Sequence, residues 1–249
     1  MNDDPNHALL REHATALREA ACGAGADAAV PTCPEWDILQ LVRHLGKVYD
    51  MVGRALKLSP GDSRPRPESA PREFDAALNW MDERLRDLTA QLATDSPDRA
   101  VWSFFPGGTP RNWARRMVHE TAIHRLDTEY ALSDGGPNGG GLLFDAEFAA
   151  DGIDEFLNVL FGIGQDWSTD RSAGQLLFHA VDVERAWLVT FEAGRFPRIE
   201  RRRDTAFGGI EPEATVAGDA DTLYRRVWGR PNTAKTSGDL GLAELVNGR

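Results

Sequence analysis

The chain is 249 residues long, enough for one large or two ordinary domains that each bury a core. A hydrophobic content of 41% and a charged content of 27% are those of a globular protein, and a net charge of −11 argues against a nucleic-acid or anionic-membrane partner. The acidic N-terminus lacks the apolar stretch of a secretory signal and no window approaches eighteen apolar residues, so a cytoplasmic protein without a membrane span is expected.

Residues from about 6 to 22 read as an Ala-rich helix ended by Gly23, with His7 and His13 expected on its surface. Thr32-Cys33-Pro34-Glu35 resembles a capping box and is expected to open a second helix that runs through Leu56. Its apolar stripe is Ile38, Leu41, Leu45, Tyr49 and Val52, with His44 at the border. A Pro/Ser/Arg-rich linker spans Ser59 to Pro71. A third helix carries Phe74, Leu78, Met81, Leu85, Leu88 and Leu92 at helical spacing. A helix from Pro110 to about Leu132 completes four, enough for an up-and-down bundle.

The turn-rich run Ser133–Gly141 is the expected joint, giving a bundle over 1–138 and a second domain over 139–249. There a helix from about Asp145 to Leu160 precedes two strand-like runs, Leu176–Asp182 and Ala186–Glu192, which the short polar joint between them makes a hairpin. His179 is expected in the core or on the hairpin face. Thr215–Asp219 reads as a short strand leading into a helix over Ala220–Trp228, ended by Gly229-Arg230-Pro231, and a last helix covers Leu240–Val246. This second part is α+β in character.

The richest stretch for chemistry is Trp113–Asp127. Thr109 is a natural N-cap and Pro110 a natural first helical residue, so positions 113, 117, 120, 124, 127 and 131 share one face. Trp113, Met117 and Ala131 mark that face as buried, yet Glu120, His124 and Asp127 lie in the same seam. Buried ionisable groups are costly unless they are paired or ligate a metal. His119-Glu120 followed by His124 is one residue longer than the H-E-x-x-H of metalloproteases, so His119 should point away from the seam. Spacing alone leaves two readings open: an intrahelical Glu120–His124 pair, which is the commoner case, or two ligands of one cation that needs a third from elsewhere. Cys22 and Cys33, with no CxxC, read as free thiols of a reducing compartment. Only Lys47, Lys57 and Lys235 among 28 basic residues are lysines, a hint of a GC-rich genome.

Val30-Pro31-Thr32-Cys33-Pro34-Glu35-Trp36-Asp37, continuing to Leu41-Val42-Arg43-His44-Leu45, resembles the first signature of the mycothiol-dependent maleylpyruvate isomerase family. Arg116 to Asp127 resembles the second, while Gly218-Asp219 and Trp228-Gly229-Arg230 carry a weaker likeness in the second domain. The resemblance implies a DinB-like metal-binding four-helix bundle followed by a smaller sterol-carrier-like α+β domain, and an actinobacterial source. It implies a divalent metal, usually zinc, held by His44, Glu120 and His124, with a fourth position open as in catalytic zinc sites. Asp127 would orient a ligand, or else pair with Arg116 or Arg125.

The implied cosubstrate is the low-molecular-weight thiol mycothiol, whose thiolate adds to an electrophile or a small carboxylate substrate. Addition and elimination would isomerise a maleylpyruvate-like double bond, and addition alone would be S-transfer. Arg230 is the expected carboxylate anchor by motif position, with Arg225 and Arg226 as competitors and a role as a helix-terminal cation as the alternative. Cys33 suits a small residue packed at the capping box better than a nucleophile. A metal-dependent hydrolase and a non-enzymatic small-molecule binding or regulatory protein are the alternatives on the same fold, and the sequence does not separate a monomer from a homodimer.

Overall fold

A computed structural model describes residues 5–133, 141–202 and 211–247. The chain divides into two compact units, Met1–Leu142 and Leu143–Arg249. Most of the predicted joint, residues 134–140, lies outside the described residues.

The first unit holds four long helices, α1 (Pro5–Ala24), α2 (Ile38–Ala55), α3 (Phe74–Thr94) and α4 (Pro110–Leu132). α1 packs mainly along α4, and α2 along α3. The predicted stripe of α2 is buried at Ile38, Leu41, Leu45, Tyr49 and Val52. Gly46 lets α3 come close, because a Cβ there would sit 2.4 Å from the ring of Trp80. α4 starts as expected, with the Thr109 hydroxyl accepting from the Asn112 N–H at 3.2 Å and Pro110 in the first turn. Trp113 anchors that end by donating its indole N–H to the Trp102 carbonyl at 2.9 Å.

Two expectations in this unit are overturned. The capping box of α2 is Asp37 with Gln40, whose side chains bond each other's backbone N–H at 2.7 and 2.8 Å, not Thr32 with Glu35. Residues 31–35 are turns, and the segment is closed by an isolated bridge between Ala29 and Asp37. His7 and His13 are buried at 7% and 5% exposure rather than lying on the surface, because they stand on the face α1 turns inward with Leu10, Ala14 and Leu17.

The second unit has α5 (Ala146–Glu155), continued by one π-helical turn over Phe156–Leu160, then β1 (Gly174–Ala180), β2 (Arg185–Phe191), β3 (Arg198–Arg202), β4 (Ala214–Gly218), α6 (Ala220–Val227), β5 (Lys235–Gly238) and α7 (Leu240–Glu244). The five strands form one mixed sheet in the order β3-β2-β1-β4-β5. β1 and β2 are the predicted hairpin, and β1 pairs with β4 in parallel. β3 and β5 are the two edges and were not expected: β5 is exposed throughout and β3 is mostly charged, so neither shows the apolar alternation that marks a half-buried strand. No helix among the described residues is long and apolar enough to cross a membrane.

Candidate metal centre

α2 supplies His44, and α4 supplies Glu120 and His124. Glu120 Oε1 lies 3.0 Å from His44 Nε2 and 3.5 Å from His124 Nε2. One ligand atom from each of the three residues falls within 4.8 Å of the others. A tetrahedral ion with bonds of about 2.0–2.1 Å has ligand–ligand edges of about 3.3 Å, so two edges already match and the third must close. The donor set is two imidazoles and one carboxylate, which suits a divalent transition metal with an open position.

The two oxygens of Glu120 have separate duties. Arg116, buried at 2% exposure and one turn earlier on α4, donates from Nη2 to Oε2 at 2.7 Å. Oε1 is thereby the oxygen offered to the two histidines. Burial alone would raise the Glu120 carboxyl, but hydrogen bonds from His124 and His44 and the charge of Arg116 outweigh it and hold the group well below the usual range.

His124 is fixed from behind. Its Nδ1 lies 2.9 Å from Oδ2 of Asp127, a residue with no exposure. An ionised carboxylate only accepts, so the proton sits on Nδ1 and Nε2 is the atom turned toward Glu120. Burial opposes charging of His124, yet hydrogen bonds to Asp127 and Glu120 push it up to about 9 in the metal-free protein. Asp127 is held in turn by the Thr32 hydroxyl, which donates to Oδ1 at 2.6 Å, and Cys33 Sγ lies 3.8 Å from Oδ2. The same loop carries Trp36, whose ring centroid is 4.8 Å from that of His44 and 5.8 Å from that of His124. His44 is the open side of the cluster, with its side chain 32% exposed against 9% for His124.

The structure therefore brings His44, Glu120 and His124 together and sets Asp127 directly behind His124. His119 is buried on the side of α4 where it acts on His13, and Arg125 reaches His13 Nδ1 at 3.3 Å. Three contributors escaped the sequence reading: Arg116, Thr32 and Trp36. Arg116 was findable from its i, i+4 spacing to Glu120. Thr32 meets Asp127 and Trp36 meets His124 across more than eighty residues, and no periodicity links either pair.

In the second unit, Arg225 ion-pairs with Asp221 at 2.7 Å, and Arg226 donates to the carbonyls of Ala243 and Val246 at 3.0 and 3.2 Å. Both are buried. Arg230 is half-buried, donates to the Trp228 carbonyl at 2.6 Å and sits 6.0 Å from the centre of the Trp228 ring.

The family model for the mycothiol maleylpyruvate isomerase N-terminal domain matches residues 7–129, and that for the C-terminal domain of the same family matches residues 147–245. No curated protein matches the chain by sequence. Two crystal structures share its fold. A histidine-to-alanine mutant of the mycothiol-dependent maleylpyruvate isomerase superposes with a TM-score of 0.59 at 12% identity, over 95% of this chain and 93% of that one. A second structure of the mycothiol-dependent maleylpyruvate isomerase gives 0.51 at 14% identity over the same shares of the two chains. With both of its domains matched in order, the chain belongs to the mycothiol-dependent maleylpyruvate isomerase family.

Proposed function

We propose that the protein is a mycothiol-dependent enzyme that isomerises a maleylpyruvate-like double bond, or transfers the thiol to an electrophile, at a divalent metal held by His44, Glu120 and His124. The observation that carries this reading is the convergence of both imidazoles on a single oxygen of Glu120 in a chain of this family. A bound divalent cation, zinc by the donor set, supplies a Lewis acid that brings a thiol pKa of about 8.5 down toward neutrality.

The residues around that position divide the remaining work. Arg116 keeps Glu120 ionised and limits it to one donor oxygen. Asp127 takes the Nδ1 proton of His124 and leaves Nε2 free to donate its lone pair. Trp36 covers one side of both imidazoles and excludes water there, while the exposed edge of His44 leaves a way in. A divalent charge added to Arg116, Glu120 and Asp127 leaves the centre net positive, which favours a thiolate and a carboxylate substrate. The thiol sulfur bonds to one carbon of the activated double bond as its π electrons move toward the conjugated carbonyl. Rotation about the resulting single bond and loss of the thiol then return the trans isomer. Of the three arginines near the end of α6, Arg230 is the assigned carboxylate anchor, because Arg225 and Arg226 are buried in contacts of their own unit.

Metal content of protein purified without added metal tests the reading. About one zinc per chain is expected in the wild type, lost in His44→Ala and Glu120→Ala with the fold retained. A folded wild type that takes up no zinc when supplied with it overturns the metal assignment. Zinc-loaded protein that turns over no maleylpyruvate or electrophile when mycothiol is present overturns the enzymatic one.

A further inference from the structure

The helical unit also contains a cavity of about 540 Å³ formed by α2, α3 and the segment joining them, whose lining includes none of His44, Glu120 and His124. Buried Tyr49 and Leu88 give it an apolar wall. The joining segment is pinned rather than loose. Glu68 donates its backbone N–H to Asp50 Oδ2 at 2.8 Å, and Arg54 bridges Asp50 and Glu68 at 2.9 and 2.6 Å. The concavity therefore exists before any ligand arrives.

Its charge is unbalanced. Arg54, Lys57, Arg66 and Arg84 line it together with Asp50 and Asp87, and Glu68 also pairs with Arg54. Both acids are engaged, Asp50 by Arg54 and Asp87 by Arg84 at 3.0 Å. Lys57 and Arg66 have no ion-pair partner among the described residues. Such a concentration of unpaired positive charge is conspicuous on a chain of net charge −11.

From the preformed cavity and the two unpaired cations on its wall, we infer that this cavity binds a small organic anion. Its carboxylate or phosphate group lies between Lys57 and Arg66, and its apolar body lies against Tyr49 and Leu88. The site is independent of the metal centre and of the reaction proposed there.

Benzoate and phenyl phosphate, which share an aromatic body and differ in the acidic group, are the probes. The full chain is titrated with each, in about 0.15 M salt to screen diffuse attraction, and followed by backbone amide NMR. Saturable shifts at Gly53, Leu58 and Gln91 are expected for at least one probe, and the tighter of the two names the acidic group. The double variant Lys57→Ala/Arg66→Ala, which alters only exposed side chains, should weaken that binding by about tenfold or more. Arg64→Ala, an exposed charge that does not line the cavity, should leave it unchanged. No saturable shift with either probe, or the same affinity in the double variant as in the wild type, overturns the inference. An equal loss in Arg64→Ala also overturns it, because binding would then follow surface charge rather than the cavity.

Discussion

α4 meets two buried histidines on opposite sides and treats them in opposite ways. Toward α2, its own His124 stands between Glu120 and Asp127 and is pushed up to about 9, the two carboxylates overcoming burial. Toward α1, His13 meets Arg125 and His119, and burial with those neighbours pushes it down to about 4. Exposure is nearly the same, 7% and 5%, so depth does not separate them. The sign of the neighbouring charge does. One side of the helix favours a positive charge on its histidine, and the other disfavours one.

The comparison breaks most completely at Glu120. Glu120→Gln keeps the shape and removes the charge, so zinc content should fall to background and mycothiol-dependent turnover by about a thousandfold or more. Retained zinc at wild-type level would show that the carboxylate is no ligand. The His13 side is tested by acid. The unfolded histidine titrates near 6.5 and the folded one near 4, so the unfolded state binds more protons between these values. His13 therefore contributes its full stability above about pH 6.5 and loses it as pH falls through 4, an effect of about 3 kcal/mol. Denaturant unfolding across that window should show the slope, and His13→Gln should flatten it.

The His124 side runs the other way. In metal-free protein its contribution is full below pH 6.5 and lost as pH rises through about 9. Metal must displace a proton there, so apparent zinc affinity should rise about tenfold per pH unit between 7 and 8.5, with one proton released per ion. Calorimetry in two buffers of different ionisation enthalpy reads that proton directly, and no release at pH 7.5 would contradict the arrangement. Asp127→Asn should weaken zinc binding by about tenfold to a hundredfold, since the amide no longer fixes the Nδ1–H tautomer.

How far the sequence carried these two sides differs for physical reasons. The acidic seam of α4 was legible because Thr109 and Pro110 fix the helix start and the period then places Glu120, His124 and Asp127 on one face. His44 came from the resemblance, since nothing in spacing connects α2 to α4 across 76 positions. The burial of His7 and His13 was in principle readable, because they share the inward face of α1 with Leu10, Ala14 and Leu17. Their polarity hides this, and His13, held down by burial and by Arg125, behaves as a core residue. In the second unit the buried hairpin β1–β2 was readable from composition, whereas the edges β3 and β5 were hidden by their exposure.

The misplaced capping box has the same kind of cause and gives the smallest of the tests. Thr32 has the right chemistry to cap a helix, but its hydroxyl is used 95 residues away on Asp127, and Asp37 caps α2 instead. The loop from Ala29 to Asp37 is thus tied to the acidic side of α4 at the same point where Trp36 covers His124. Thr32→Val keeps the volume and removes the donor, leaving Asp127 with one hydrogen bond fewer in a place with no exposure. Losing a hydrogen bond to a buried carboxylate costs about 1–3 kcal/mol of fold stability, of which only the part that loosens His124 reaches the metal. Zinc affinity should therefore drop by about threefold to tenfold, less than in Asp127→Asn, while Thr32→Ser restores it because the hydroxyl returns. Equal affinity in the Val and Ser variants would mean that Asp127 holds His124 without help from the Thr32 hydroxyl, leaving the loop to act through Cys33 and Trp36.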